Sequence, residues 1–275
     1  MLRRGFVGLL LASTLVLGIG PAFSGDDAWK PIKVRYFGNS FFVVESNKGV
    51  RVCFDPHLIP EYGRPPESLK ADIVVMSHNH NDHTAVEALA NWNDADKEKR
   101  PKIIRGLKGT GLRADWAAVD EKIGDIKIRT VGLYHDDIEG LRSGKVSAFI
   151  VEMDGWRICH LGDLGHTLTP AQVKAIGETD VLMIPVGGIY TINGSEAKTV
   201  MAQLKPKQYV FPMHYGNKYF EDLLPVNEFL QGQKKERVAE SDDNQLTLNR
   251  DPSRPRPLTV VFTYPLEAPK KKTKN

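Results

Sequence analysis

The ten residues from Met76 to Ala85 read MSHNHNDHTA and place His78, His80, Asp82 and His83 within six positions. Neutral imidazole and carboxylate are the usual zinc ligands outside thiolate sites. In an extended segment alternate residues point the same way. That alternation puts His78, His80 and Asp82 on one side and steps His83 off it, so the loop can hold two ions rather than one. The ordinary alternative is a solvated polar loop.

Three further strand-like runs stop at residues of the same kind. IRTVGLYH ends at His135, WRICHLGD at Asp163 and QYVFPMH at His214. If these strands lie side by side, their ends converge on the cluster, and loops at strand ends are where sites on a fold usually form. Taken singly, His135 or His214 would be a structural histidine. Asp163, ahead of Leu164-Gly165, would be a turn former. Four strand ends carrying ligand types together favour a site.

The rest of the chain supplies strands first, then strands alternating with helices. IKVRYFG, SFFVVES and GVRVCFDP are short strands, and ADIVVMSH is a buried one. TAVEALANW is expected to be a helix starting at Thr84, because Thr84 and Glu87 have capping-box spacing. KIIRGL and IKIRTVGLYH are strands, and VSAFIVEMDGWRICHLGD is a hairpin turning at Asp154-Gly155. PAQVKAIG is a short helix opened by Pro170. TDVLMIPVGG and QYVFPMHYG are strands, SEAKTVMAQLKP and VNEFLQGQ are helices, and LTVVFTYP closes the fold. Many strands and few helices imply two packed sheets with helices outside, an α+β arrangement.

The ends of the chain differ from its body. Residues 1–24 join a basic start (Arg3, Arg4) to an apolar run and the small-residue sequence AFS, the pattern of an export signal with cleavage near Gly25. The run is short for a membrane span, so no transmembrane anchor is expected after processing. Arg3-Arg4 gives a partial twin-arginine match. On these features the mature protein is expected in the periplasm or outside the cell. Residues 25–265 are expected to form one domain and residues 266–275 a basic, disordered tail. The formal charge of +3 includes Arg3, Arg4, Lys270, Lys271, Lys272 and Lys274; without those six positive charges the remainder is −3. An acidic body is a poor footprint for nucleic acid, and none is expected as a partner. The two cysteines, Cys53 and Cys159, sit in apolar runs and are expected to be buried free thiols, with a disulfide between them in an exported protein as the alternative.

HNHNDH fits the H-x-H-x-D-H signature of the metallo-β-lactamase superfamily, and His135, Asp163 and His214 follow in that family's order. GVRVCFDP, CHLGDLGH, IPVGGIYTING and FPMHYG resemble the branch of L-ascorbate phosphate lactonase-like proteins and related metal-dependent hydrolases. The resemblance runs from about Ile32 to Gly216. It implies a metallo-β-lactamase-like αββα sandwich with two divalent ions at the edge between the sheets, zinc by default, manganese or iron as alternatives. By motif position, His78, His80 and His135 would bind one ion, Asp82, His83 and His214 the other, and Asp163 would bridge them. A hydroxide shared by the two ions would attack a small ester, lactone or phosphoester. Asp163 would hold the bridge, and Asp82 is the candidate proton carrier. The field of a helix starting at Thr84 would favour an anionic substrate or a developing oxyanion.

Weaker candidates surround these residues. Asp55 is either an acceptor that orients a ligand imidazole or a turn former before Pro56. His160 is a core histidine or a site contact, and His166 a surface residue or a substrate contact. Tyr190, Thr191 and Asn193 follow Gly187-Gly188 in a loop that either lines a pocket or merely reverses the chain. His57 is placed on the surface. The rival functions are a phosphodiesterase or nuclease on the same scaffold, redox chemistry at a di-iron site, and a non-catalytic metal-binding protein.

Overall fold

A computed structural model of the protein describes residues 29–265. The expected export signal, with its cleavage point near Gly25, and the basic tail lie outside the described residues. The chain runs β1 (Ile32–Tyr36), β2 (Phe42–Glu45), β3 (Arg51–Phe54), β4 (Ile73–Met76), β5 (Lys102–Arg105), β6 (Leu107–Lys108), β7 (Asp115–Trp116) and β8 (Asp120–Ile123). It continues through β9 (Ile126–Tyr134), β10 (Lys145–Met153), β11 (Trp156–His160), α1 (Pro170–Ile176), β12 (Val181–Pro185), α2 (Gly194–Leu204) and β13 (Tyr209–Met213). It ends with α3 (Asn227–Leu230), β14 (Val238–Glu240), β15 (Gln245–Leu248) and β16 (Leu258–Val261).

These strands form two large mixed sheets. One has the order β15-β1-β2-β3-β4-β5, the other β14-β16-β13-β12-β11-β10-β9-β8. Alternation sorts the first sheet's side chains between two layers. Phe42, Val44, Val52, Phe54 and Val75 face a shared core with Phe149, Ile158, Leu182 and Phe211 of the second sheet. Val43, Cys53, Val74 and Met76 enter a separate outer cluster with Leu69 and Leu89. β12 and β13 are central and parallel and are buried along their whole length, which is why they read as unbroken apolar runs. The α+β sandwich expected from the sequence is the fold observed.

The outer layers are unequal. α1 and α2 cover the second sheet, with Ile176, Ala197, Val200 and Leu204 buried beneath them. No α-helix starts at Thr84. Residues 81–83 and 86–88 form separate 3-10 turns instead. The Thr84 hydroxyl donates back to the His80 carbonyl, and the Ala85 amide is held by the Pro56 carbonyl. The Thr84 hydroxyl is thus turned back to His80, and the bond to Pro56 holds the chain after it out of a helical path. β14 and β15 supply edge strands from a segment that had no strand signal.

The topology explains why the candidate residues meet. β9 and β11 are both antiparallel to β10, and β11, β12 and β13 are mutually parallel. The C-terminal ends of β9, β11, β12 and β13 therefore lie along one edge. His135 follows β9, Asp163 follows β11, and His214 follows β13. β4 ends beside them, because the Ser147 amide of β10 donates to the Ser77 carbonyl at 3.0 Å. Among the described residues, no helix is long and apolar enough to cross a membrane.

Candidate metal centre

Seven side chains gather at this edge in two groups. His78, His80 and His135 form one, and Asp82, His83, Asp163 and His214 the other, with the donor atoms of each group within 4.8 Å of one another. The alternation expected along the loop holds for His78 and His80, whose rings are 4.5 Å apart. It fails at Asp82, because the 3-10 turn of residues 81–83 swings Asp82 and His83 into the second group.

Asp163 is the centre of the arrangement. Its Oδ2 lies 3.0 Å from His214 Nε2, 3.1 Å from His83 Nε2, 3.4 Å from His135 Nε2 and 3.8 Å from His78 Nε2. Its Oδ1 accepts from the Ser40 hydroxyl at 3.4 Å. Burial opposes ionisation of Asp163, but His214, His83 and His135 hold its carboxyl well below the usual carboxylate range. Burial likewise opposes a charge on His83, yet Asp163, Asp82 and Asp55 raise its pKa well above the ordinary imidazole value. His78 and His80 shift the other way, lowered first by burial. Asp82 remains acidic against partial burial because His83 lies beside it.

The surroundings fix these groups. Asp55 Oδ2 lies 3.0 Å from His83 Nδ1, and its Oδ1 accepts from the Ser77 amide at 2.7 Å. The Ser77 hydroxyl donates to Asp55 at 2.5 Å and lies 2.9 Å from His78 Nδ1. One carboxylate therefore orients one ring directly and a second through a serine. His78 Nε2 is then left buried with no hydrogen-bond partner, aimed among the other imidazoles. A divalent cation satisfies that atom, and the nitrogen-and-oxygen donor set is one zinc, manganese or iron accepts. The residues present fit the metal that their pattern implies.

Several residues gained a role that their sequence context did not reveal. Asn39, buried at φ 46, donates its amide to Asp82 Oδ2 at 3.2 Å, and its carbonyl accepts from the His214 amide at 2.8 Å. Asp136 accepts four backbone amides of the 138–143 loop at 2.7–3.0 Å and so shapes the chain after His135. His57 is buried, not on the surface; its Nε2 donates to the Gly38 carbonyl and its Nδ1 accepts from the Ile59 amide, each at 3.0 Å.

The weaker candidates divide. Asp55 sits against the ligand rings as described. His160 is buried, stacked on Phe54, and links the Ser40 carbonyl (3.0 Å) to the Gly162 amide (3.2 Å). It packs the two segments that flank Asp163 rather than facing substrate. His166 Nε2 accepts from the Tyr134 amide at 3.2 Å at the end of β9. The Asn193 side chain is the N-cap of α2, accepting from the Ser195 and Glu196 amides, so it is committed to the helix and not to a pocket. Tyr190 is exposed on the loop after β12. Cys53 and Cys159 are buried free thiols in different clusters, and burial pushes the Cys159 thiol up to about 12.

Comparison with known proteins places this geometry in a family. Residues 33–214 match the beta-lactamase superfamily domain Lactamase_B_3. The chain is 30% identical over 204 residues to a UPF0173 metal-dependent hydrolase of Thermococcus onnurineus, covering 67% of this chain and 85% of the relative. A second protein of that name, from Archaeoglobus fulgidus, is 31% identical over 200 residues, covering 67% and 84%. Among solved structures, a protein of Thermotoga maritima described as a Zn-dependent hydrolase of the metallo-beta-lactamase superfamily superposes with a TM-score of 0.61. It has 32% identity and covers 84% of this chain and 98% of that one. The metallo hydrolase Igni18 of Ignicoccus hospitalis gives a TM-score of 0.54 at 25% identity, covering 74% and 90%. The domain match spans most of the chain and contains every residue of the two ligand groups, so this chain belongs to the beta-lactamase superfamily, among its metal-dependent hydrolases.

Proposed function

We propose that the protein hydrolyses a small ester, lactone or phosphoester at a centre of two divalent ions. His78, His80 and His135 would hold one ion, Asp82, His83 and His214 the other, with Asp163 between them. The observation that carries this reading is the position of Asp163 Oδ2, within 3.0–3.8 Å of four imidazole nitrogens drawn from both groups. Divalent ions held here supply Lewis acidity and make water ionisable near neutral pH. Zinc is the first candidate by donor set, with manganese or iron as alternatives.

The chain's own residues have distinct tasks. Asp163 and the rings of His78, His83, His135 and His214 are buried, so they position and do not exchange protons with solvent. His80 is exposed, and the Asp82 side chain is 39% exposed. The substrate therefore approaches on the side of these two residues. Asp82 is the carboxylate placed to take up and return a proton at Oδ2, where Asn39 and His83 also reach it. The basic start and apolar run of residues 1–24 support export as the setting for this activity. The substrate is a small molecule rather than nucleic acid, given the acidic remainder of the chain.

The test is elemental analysis of gently purified protein, followed by a screen of lactones, phosphodiesters and simple esters. The expected result is close to two ions per chain and turnover abolished by a chelator. One tightly held ion that added metal does not change would remove the two-ion reading. Full metal occupancy with no turnover of any class would leave a binding protein.

A further inference from the structure

The loops that leave the metal-centre edge carry most of the exposed large apolar side chains among the described residues. Ten large apolar side chains are exposed among the described residues, and six of them lie on three of these loops: Ile138, Leu141, Ile189, Tyr190, Tyr219 and Leu224. Single exposed apolar residues are ordinary, but their concentration on one edge marks a contact surface.

Ile189 and Leu224 flank the His214 side of the centre. Gly187 is pressed against the end of β13, since a Cβ there would stand 2.1 Å from the His214 carbonyl oxygen. The Gly187 carbonyl accepts from the Leu224 amide at 2.8 Å, and a Cβ on Gly188 would stand 3.0 Å from Leu224 Cδ1. On the other side, the Ile192 amide donates to the Leu164 carbonyl, next to Asp163, at 2.9 Å. The loop carrying Ile189 and Tyr190 is thus anchored at both ends to backbone that carries ligands. Ile189 itself has φ 59 and is 64% exposed. A β-branched residue in the left-handed region is strained, and such strain persists where the surroundings impose it, often at functional sites. Here the strained residue contributes its side chain to the surface, not to the core. Beside Leu224 a shallow cavity of about 530 Å³, open to solvent, adjoins this surface, lined by the apolar Leu224 and Pro225 and the polar Asn227, Glu228 and Gln231.

We propose that Ile189, Tyr190 and Leu224, with the adjoining cavity, form a subsite for an apolar chain on the substrate, so that the centre acts on amphiphilic esters in preference to small hydrophilic ones. This rests on the hydrolase reading above and names the substrate class for the same site. The occupant is fixed by continuity: the patch adjoins the residues that would hold the ions, so a molecule whose polar head reaches them lays its tail on Ile189 and Leu224.

The test uses the full chain loaded with zinc and two carboxylate probes, acetate and octanoate, titrated calorimetrically at equal ionic strength. Burying only two of the additional methylenes of octanoate gives roughly a tenfold gain in affinity. The expected result is therefore an octanoate preference of about tenfold or more, cut severalfold by Ile189→Gly and by Leu224→Ser. Ile103→Ser removes an exposed apolar side chain on β5 and should keep the preference. Hydrolysis of 4-nitrophenyl acetate and 4-nitrophenyl octanoate is followed in parallel. Equal affinity for the two carboxylates, or a preference untouched by both loop variants, overturns the subsite. An intact octanoate preference with neither ester hydrolysed keeps the subsite and removes simple esters from the hydrolase reading. Turnover without any chain-length preference does the reverse. If Ile189→Gly folds poorly, Tyr190→Ser and Leu224→Ser carry the same comparison.

Discussion

The Asp55 carboxylate lies 3.0 Å from His83 Nδ1, with both side chains buried and neither bearing on solvent. Asp55 adopts φ 42, a conformation that aspartate tolerates better than most residues. The bond leaves His83 Nε2 directed at Asp163 and makes His83 a stronger donor. Asp55→Asn keeps the shape but loses the charge. The change should weaken metal binding by roughly 10- to 100-fold, the usual cost of removing such a partner. Competition with a graded series of chelators measures it. Unchanged affinity would return Asp55 to the role of a turn former.

Much of this centre was legible because its residues break a pattern. Apolar runs such as QYVFPMH are buried strands, and several of them ending in ligand types together mark a site where one histidine alone would not. The same logic found Asp163 and His135. The logic failed where a residue's role comes from a distant segment. Thr84 and Glu87 have capping-box spacing, yet Ala85 is held by Pro56, some thirty residues earlier in the chain, and no helix forms. His57 looked like a surface residue, because nothing in PHLIP shows that Gly38, Phe41 and Tyr62 close over it. β14 and β15 are short, partly exposed edge strands without a continuous apolar run, so local pattern could not reveal them.

Asp163→Ala removes the carboxylate oxygen that lies 3.0–3.8 Å from four imidazole nitrogens of both groups. The core between the sheets is built from apolar side chains to which Asp163 does not belong, so the fold should persist. Metal content should fall toward one ion per chain. Turnover on any substrate found should drop on the order of a hundredfold or more, as expected when reacting groups lose their placement. Elemental analysis and kinetics on the same preparation check both parts. Two retained ions with near-normal turnover would show that Asp163 does not bridge.

His57 predicts a pH-dependent stability. Burial lowers its pKa from 6.5 to about 4, partly offset by its bond to the Gly38 carbonyl. The ring is neutral in the fold, with Nδ1 already accepting from Ile59, so a proton there would break that bond. Because the folded pKa is depressed, this contribution is whole above pH 6.5 and is lost as pH falls toward 4. The span corresponds to about 3 kcal/mol at most. Urea unfolding of the wild type and of His57→Gln between pH 7 and pH 4 isolates it. The wild type should lose more stability than the variant over that window, and parallel curves would remove His57 from the account.

Asn39 couples three of the proposed ligands through two different groups. Its side chain holds Asp82 Oδ2 at 3.2 Å and comes within 3.5 Å of His83 Nε2, while its carbonyl holds the His214 amide at 2.8 Å. The Tyr36 hydroxyl also donates to that carbonyl, at 2.9 Å. Two substitutions separate these parts. Asn39→Gly keeps the left-handed backbone, and so the His214 contact, but frees Asp82. Asn39→Ala frees Asp82 as well and adds a left-handed alanine, which costs about 1–2 kcal/mol. Both variants should therefore lower turnover by a similar factor, because both release the carboxylate proposed to carry the proton. Only Asn39→Ala should lose stability from backbone strain, seen as a lower Tm in the metal-free protein. Equal Tm losses in the two variants would remove the backbone-strain account, and a turnover defect confined to Asn39→Ala would mean that the backbone carbonyl and not the amide side chain is what Asn39 contributes.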